Sequence, residues 1–234
     1  MARDDDPTRS SRFVAIASGI DRFLHWTRWP MAVLLVLLIL PAASACLSLL
    51  TMIVKAPKPM MPFAGGMCLY LMIWTILFRH WRATWFSTLE HELTHALFAI
   101  LTFHRVVDIR TTWRSGGHIR YVGRGNWLIT LSPYFFPTIC LIVLPLFAFL
   151  PTRGTHIADA VLGAAFGFHL TSTIRETHLG QTDLKKAGYL FSLMALPGLI
   201  LVTHGLVLAW CHGGNRGLAR FLKLVWLNLE RLFS

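Results

Sequence analysis

Charged residues are scarce in this chain, and acidic residues are the scarcest. Of 234 residues, 14% are charged and 55% are hydrophobic. This composition, with its long uncharged runs, is typical of an integral membrane protein and excludes an ordinary soluble enzyme. The 11 acidic residues are outnumbered by 22 lysines and arginines, and the resulting net charge of +11 favours contact with the anionic head groups of a lipid bilayer.

Other features are missing as well, and each absence excludes a class of protein. The four cysteines form no CxxC pair and lie in or beside apolar runs, so we interpret them as small apolar residues and not as a disulfide framework. No stretch combines clustered basic residues with interleaved aromatic ones, so no nucleic acid is expected as a partner. No internal repeat occurs, and we expect one membrane domain.

Six runs have the length and apolar character of membrane helices. They comprise residues 31–54, 60–78, 83–104, 127–151, 156–173 and 187–211. The polar run 79–82 separates the second from the third. Pro133 and Pro137 are expected to bend the fourth, because proline lacks the amide hydrogen that a regular helix uses.

Two amphipathic helices and a hairpin complete the predicted fold. Apolar residues recur at helical spacing in 12–29 and in 216–233, which indicates helices lying on the membrane surface. Residues 106–113 are rich in β-branched side chains, 114–117 have turn chemistry, and 118–122 alternate polar with apolar, as in a β-hairpin. The predicted fold class is an all-α polytopic membrane protein with about six transmembrane helices, one membrane-associated β-hairpin, and N- and C-terminal amphipathic surface helices.

The predicted organisation along the chain has three parts. Residues 1–29 form a polar tail, disordered over its first eleven residues, and an amphipathic surface helix. Residues 30–211 form the membrane domain, and residues 212–234 form the C-terminal amphipathic helix.

One motif in the third apolar run carries recognisable chemistry. His91-Glu92-Leu93-Thr94-His95 has the pattern HExxH. Residues four apart lie on the same face of a helix, so His91 and His95 are placed to hold one metal ion between them. Glu92 is then placed to reach a water molecule bound to that metal.

The apolar surroundings of this motif argue against an accident. A charged side chain within a membrane helix costs about 2.5–3.5 kcal/mol even on mild insertion scales, unless something offsets the cost. A metal ion would do so. The alternative is that His91, Glu90 and Glu92 satisfy one another or line a water-filled cavity.

A catalytic zinc site needs three protein ligands and one open position, so a third ligand must come from elsewhere. The candidates in or near the membrane are Asp159, His169, Glu176, His178 and Asp183. Asp183 has an alternative role as an N-cap or first-turn acid of the last span. His204 lies alone in an apolar span and is expected to be a hydrogen-bonded core histidine.

The order of these features resembles the site-2 protease family of intramembrane zinc metalloproteases. The resemblance covers 85–210 and consists of HExxH in a membrane helix, a glycine-containing hairpin, a helix with a proline-bearing first turn, and an Asp between the last two helices. The family's usual Asn-Pro-x-Asp-Gly run appears here as Gly180-Gln181-Thr182-Asp183-Leu184, and its Gly-Pro opening as Ser132-Pro133. The chain therefore resembles a divergent, bacterial-type branch.

The resemblance implies a site, a cofactor and a reaction. It implies that His91, His95 and Asp183 bind Zn²⁺, with Asp159 and Glu176 as alternative third ligands. A water molecule on the zinc would be the nucleophile and Glu92 the general base, and the partner would be a membrane protein or peptide substrate cleaved in or near the membrane. The implied location is a bacterial inner or plasma membrane, which the chain crosses several times.

The residues leave other roles open for parts of this region. His118 and Asn126 are candidates for binding the oxyanion or supporting a ligand, although a solvated turn histidine is the simpler interpretation of His118. The hairpin is expected either to pair with an unwound substrate or only to fill space near the site.

Two alternative functions are weighed against the protease. His91 and His95 also satisfy HxxxH, as in a di-iron membrane oxidase, but no pair of adjacent histidines occurs. A non-proteolytic transporter or scaffold is the other alternative, and the intact Glu92 argues against a degenerate site.

Overall fold

The computed structural model describes residues 7–78, 85–112, 116–148 and 156–234. These residues form mostly helices and one small antiparallel pair of strands. The predicted combination of membrane helices with a hairpin is therefore confirmed. The predicted polar break at 79–82, the first six residues of the predicted tail, and residues 114–115 of the predicted hairpin turn lie outside the described residues.

The N-terminal helix α1 (Pro7–Trp26) forms where the sequence predicts a surface helix. It begins at Pro7, earlier than expected, because proline fits the first turn of a helix without losing a hydrogen bond. Phe13 and Phe23 are exposed on the predicted apolar face, whereas Asp21 faces the rest of the protein and is buried. Helix α2 (Arg28–Lys55) follows almost directly.

Helices α3 (Met61–Ile73) and α7 (His156–Glu176) pack against each other as a close pair. Gly66 lies against the backbone of Ala160, and Gly163 lies against the backbone of Phe63. A side chain at either glycine would overlap the opposing main chain. Small residues of this kind allow membrane helices to approach closely.

The motif helix α4 (Trp85–Leu101) leads into strand β1 (Val106–Thr111) and strand β2 (Gly117–Tyr121). The two strands pair antiparallel, with Val106 opposite Tyr121 and Thr111 opposite Gly117, and a bulge lies between Val106 and Asp108. Both strands also contact α4, so the hairpin is fixed beside the motif.

The fourth apolar run is broken, as its prolines predict. Helix α5 (Trp127–Leu131) and the short turn that ends at Tyr134 are followed by helix α6 (Thr138–Ala148), and the two parts are bent by 78°. The break spans residues 135–137.

The last helices were less accurately predicted. A short helix α8 (Thr182–Ala187) forms within the polar interruption, and α9 (Tyr189–Glu230) follows. The backbone of α9 leaves helical geometry at Gly213 and Gly214, after which the chain folds back. The buried Phe221 then packs against Gly205, so the apolar face of the predicted C-terminal surface helix is covered by the protein at this point.

The predicted number of six membrane spans is unconfirmed. Among the described residues, four helices are long and apolar enough to cross a membrane, or five if the bent pair counts as one span. The described part of helix α4, Trp85–Leu101, has 17 residues and is about 25 Å long.

Candidate metal centre

Helix α4 turns its polar residues inward and its apolar residues outward. Phe86 and Ile100 are more than half exposed, at 62% and 61%. His91, Glu92 and His95 are buried on the opposite side. The helix thus presents the motif to the protein interior, where ionisable groups need partners.

The structure brings three of the predicted site residues together. His91 Nε2 lies 3.1 Å from His95 Nε2 and 3.2 Å from Asp183 Oδ2. His95 Nε2 lies 3.3 Å from the same oxygen. Within the described part of the chain, no other group of three or more His, Cys, Asp or Glu residues is spaced for a metal ion.

The triangle of these atoms fits one face of a zinc tetrahedron. Ligand atoms about 2.0–2.1 Å from zinc, at tetrahedral angles, lie about 3.3 Å from one another. The three sides measured here are 3.1, 3.2 and 3.3 Å. Two imidazole nitrogens and one carboxylate oxygen are also a donor set that suits zinc, and they leave a fourth position open.

Hydrogen bonding fixes the tautomer of His95. Its Nδ1 donates to the carbonyl of Ile129 at 2.7 Å, so in the neutral ring Nε2 carries a lone pair directed at the centre of the triangle. The carbonyl is available because α5 is a single turn that ends beside α4. The sequence does not indicate this contact, because every residue carries a main-chain oxygen and none is marked as the partner of His95.

Asp183 reaches the site from the first turn of α8. Burial on its own raises the pKa of its carboxyl, but the neighbouring imidazoles of His91 and His95 outweigh this effect and hold the pKa below its usual value. Tyr134 also directs its hydroxyl at Asp183 Oδ2, over 3.4 Å. The carboxylate is therefore ionised and oriented as a ligand should be.

Glu92 lies beside the triangle, at the wall of a cleft of about 750 Å³. The cleft is also lined by His95, Asp183 and the whole of β2. Gly117 of β2 packs directly on the Glu92 side chain: a Cβ there would lie 2.7 Å from Glu92 Cγ and 2.9 Å from Oε1. The hairpin therefore contacts the predicted general base.

The other candidate ligands are bonded to groups outside the triangle of His91, His95 and Asp183 atoms. Glu176 Oε2 accepts a hydrogen bond from Gln181 Nε2 at 2.7 Å, and His178 Nδ1 accepts one from the backbone of Gly180. His169 pairs with Glu90 at 3.1 Å, so this glutamate has a buried partner of its own.

Asp159 is remote from the triangle along the axis of α7. It lies ten residues before His169, which corresponds to about 15 Å of helix. His204 donates to the carbonyl of Ile200 at 2.9 Å, one helical turn earlier in α9. Neither residue belongs to the cluster of potential ligands.

Of the two candidate supporting residues, His118 is exposed in β2 and lines the cleft. Asn126 also lines the cleft, but both of its polar atoms are engaged: Oδ1 caps α5 through Ile129 N at 3.1 Å, and Nδ2 donates to Asp21 at 2.9 Å. Asn126 therefore caps α5, and one of its two amide hydrogens is bound by Asp21.

Asp21 is the main residue near the site that the sequence analysis missed. It accepts hydrogen bonds from His104 Nε2 at 3.1 Å and Gly125 N at 3.1 Å, in addition to that from Asn126. It therefore joins α1 to the end of α4 and to the cap of α5. An Asp on a surface helix has no sequence signal for such a role, although its 9% exposure is unusual for an acid.

Replacing Gly117 with alanine is expected to lower cleavage about tenfold to a hundredfold while zinc content stays unchanged. The added methyl group would displace the flexible side chain of Glu92, the predicted general base, and would also press on Thr88 Cγ2 at 2.9 Å. Gly65→Ala is the matched control, because nothing lies within 4 Å of the position its Cβ would take. Equal cleavage by both variants, measured with one membrane substrate, would show that the contact has no role.

Comparison with curated proteins and with solved structures finds no match. A family model described as Peptidase M50B-like matches residues 65–180. The matched segment runs from α3 to just beyond α7, includes His91, Glu92 and His95, and ends before Asp183. The chain therefore belongs to the Peptidase M50B-like family and is a member of the site-2 proteases.

Proposed function

We propose that the protein is an intramembrane zinc metalloprotease that hydrolyses a peptide bond in or near the membrane. Its family makes it a membrane metalloprotease in general terms. The observation that carries the finer proposal is the triangle of His91, His95 and Asp183 atoms, 3.1–3.3 Å apart, with Glu92 beside it at the wall of an open cleft.

In this proposal His91, His95 and Asp183 would hold Zn²⁺. The zinc ion would supply a Lewis acid and would lower the pKa of a water molecule that it binds towards ~7. Glu92 accepts the proton of the water that attacks the peptide carbonyl and then delivers it to the leaving amine, as a general base and acid in turn. The partly enclosed site strengthens these electrostatic interactions, because little bulk water screens them.

The substrate in this proposal is an unwound segment of a membrane-spanning helix. A helical peptide bond is shielded by its own hydrogen bonds and must be extended before water attacks it. Strand β2 lies along the cleft beside Glu92, so an extended substrate pairing with this strand would pass the site. This supports the role of the hairpin as a guide for the substrate. We also place the protein in the inner or plasma membrane of a bacterium.

The alternatives gain no support from the site. A di-iron centre needs more ligands than the three that the described residues bring together. The function of a transporter or scaffold does not explain why a glutamate lies beside a cluster of candidate metal ligands.

Removal of the metal tests this proposal. Treatment with a strong zinc chelator is expected to abolish cleavage of a transmembrane reporter by the purified protein, and added Zn²⁺ is expected to restore it. The folded helices should persist, because they are held by apolar packing over the whole domain. Circular dichroism supplies the control for folding. Full cleavage in the chelated protein would contradict a zinc mechanism.

A further inference from the structure

The cleft beside the metal ligands carries four basic side chains that come from separate parts of the chain. Arg28 comes from the start of α2, Arg120 from β2, Arg124 from the loop that follows, and Lys186 from the end of α8. We call these four residues the basic rim. Their convergence on one cleft is a property of the fold, since no run of basic residues in the sequence brings them together.

Within the described part of the chain, the rim residues have no carboxylate partner. Arg120 lies opposite Asp108 in the hairpin, but Asp108 Oδ2 already accepts from Arg110 Nε at 2.7 Å. Arg28 donates to the carbonyl of Ala187 and lies over the Phe191 ring at 4.5 Å, yet its buried Nε has no hydrogen-bond partner.

The cleft also carries three carboxylates, those of Asp21, Glu92 and Asp183, so its four basic side chains exceed its acidic ones by one. Asp21 is occupied by three hydrogen-bond donors, and Asp183 by two histidines. Glu92 lies at the wall of the cleft beside the candidate metal ligands. The rim residues are therefore positive charges without carboxylate partners along the cleft, and its low-dielectric wall strengthens their field.

We propose that the basic rim selects substrates that carry aspartate or glutamate in the unwound segment next to the scissile bond. This rests on the proposed proteolytic function and names its substrate class. The four cations line the cleft that leads to Glu92 and Asp183, so a bound peptide would place its side chains among them. Anionic lipid would instead be expected to bind basic residues on the outer, lipid-facing surface.

Binding to the full-length Glu92→Gln protein in lipid nanodiscs tests the proposal without turnover. The probes are synthetic peptides with one apolar segment followed by a short run of glutamates, of glutamines or of lysines. The glutamate peptide is expected to bind about tenfold tighter than the glutamine peptide, which corresponds to a few modest ion pairs. Added salt should reduce this ratio, because the rim is open to solvent.

Two further variants separate specificity from folding. Arg120→Gln with Arg124→Gln should bring the ratio towards one, and Arg120→Glu with Arg124→Glu should reverse the preference to the lysine peptide. Arg216→Gln with Lys223→Gln removes the same charge from exposed positions after the kink in α9, outside the cleft, and should leave the ratio unchanged.

The outcomes are distinct. Equal binding of the three peptides would overturn the rim proposal even if the wild-type protein cleaves a membrane substrate. A preference for glutamate that the charge reversal inverts would support it even if no cleavage were found. The variant with Arg120→Gln and Arg124→Gln is also tested against phosphatidylglycerol vesicles. If it loses affinity for these vesicles and not for the glutamate peptide, the rim is a lipid site and the proposal is wrong.

Discussion

Glu92→Gln is expected to lower cleavage of a membrane substrate by about 10²- to 10⁴-fold while the purified protein keeps its zinc. General base catalysis contributes roughly this factor, and an amide of the same shape cannot take up the proton. The structure gives Glu92 no place in the triangle of ligand atoms, so zinc binding should not depend on it. Cleavage of a co-expressed membrane reporter and metal analysis of the same preparation measure both quantities.

The control for this variant is Glu230→Gln, which neutralises an exposed acid at the end of α9. It should cleave like the wild type. Undiminished cleavage by Glu92→Gln would contradict the general-base role. Loss of zinc together with cleavage would instead make Glu92 a ligand or a structural residue.

Asp183→Ala is expected to lose both zinc and cleavage. The affinity for zinc should fall by more than about 100-fold, because loss of even an outer hydrogen-bond partner of a metal ligand costs about 10- to 100-fold. The variant removes the oxygen that lies 3.2 Å from His91 Nε2 and 3.3 Å from His95 Nε2. Equilibrium dialysis against a zinc-buffered solution measures the change.

Asp159→Ala and Glu176→Gln are the matched controls for this experiment. Asp159 lies about 15 Å along α7 from His169, the residue that pairs with Glu90. Glu176 accepts a hydrogen bond from Gln181. Both variants should keep zinc. Zinc retained by Asp183→Ala and lost from either control would assign the third ligand to the other acid.

The local parts of the site were the easiest to predict, because they depend on spacing alone. A separation of four residues puts His91 and His95 on one face of any α-helix. The pattern of polar and apolar residues on either side of Gly116 and Gly117 predicts the hairpin, and Pro133 and Pro137 predict a bend, which measures 78° in the structure. Each of these signals involves residues that are close in the chain.

Contacts between distant residues could not be predicted in the same way. Asp183 follows His91 by 92 residues, and only the resemblance to a family suggested their pairing. The carbonyl of Ile129, the burial of Asp21 and the short helix α8 depend on how the helices pack. The count of six spans remains unconfirmed, because four described helices, or five with the bent pair counted as one span, are long and apolar enough to cross a membrane.

Metal analysis of the protein purified without added metal tests the central claim most directly. The wild type is expected to contain one zinc ion per chain, and a variant with alanine at His91, His95 and Asp183 is expected to contain none. Iron in place of zinc, or an equal amount of zinc in the triple variant, would contradict the assignment of the metal centre.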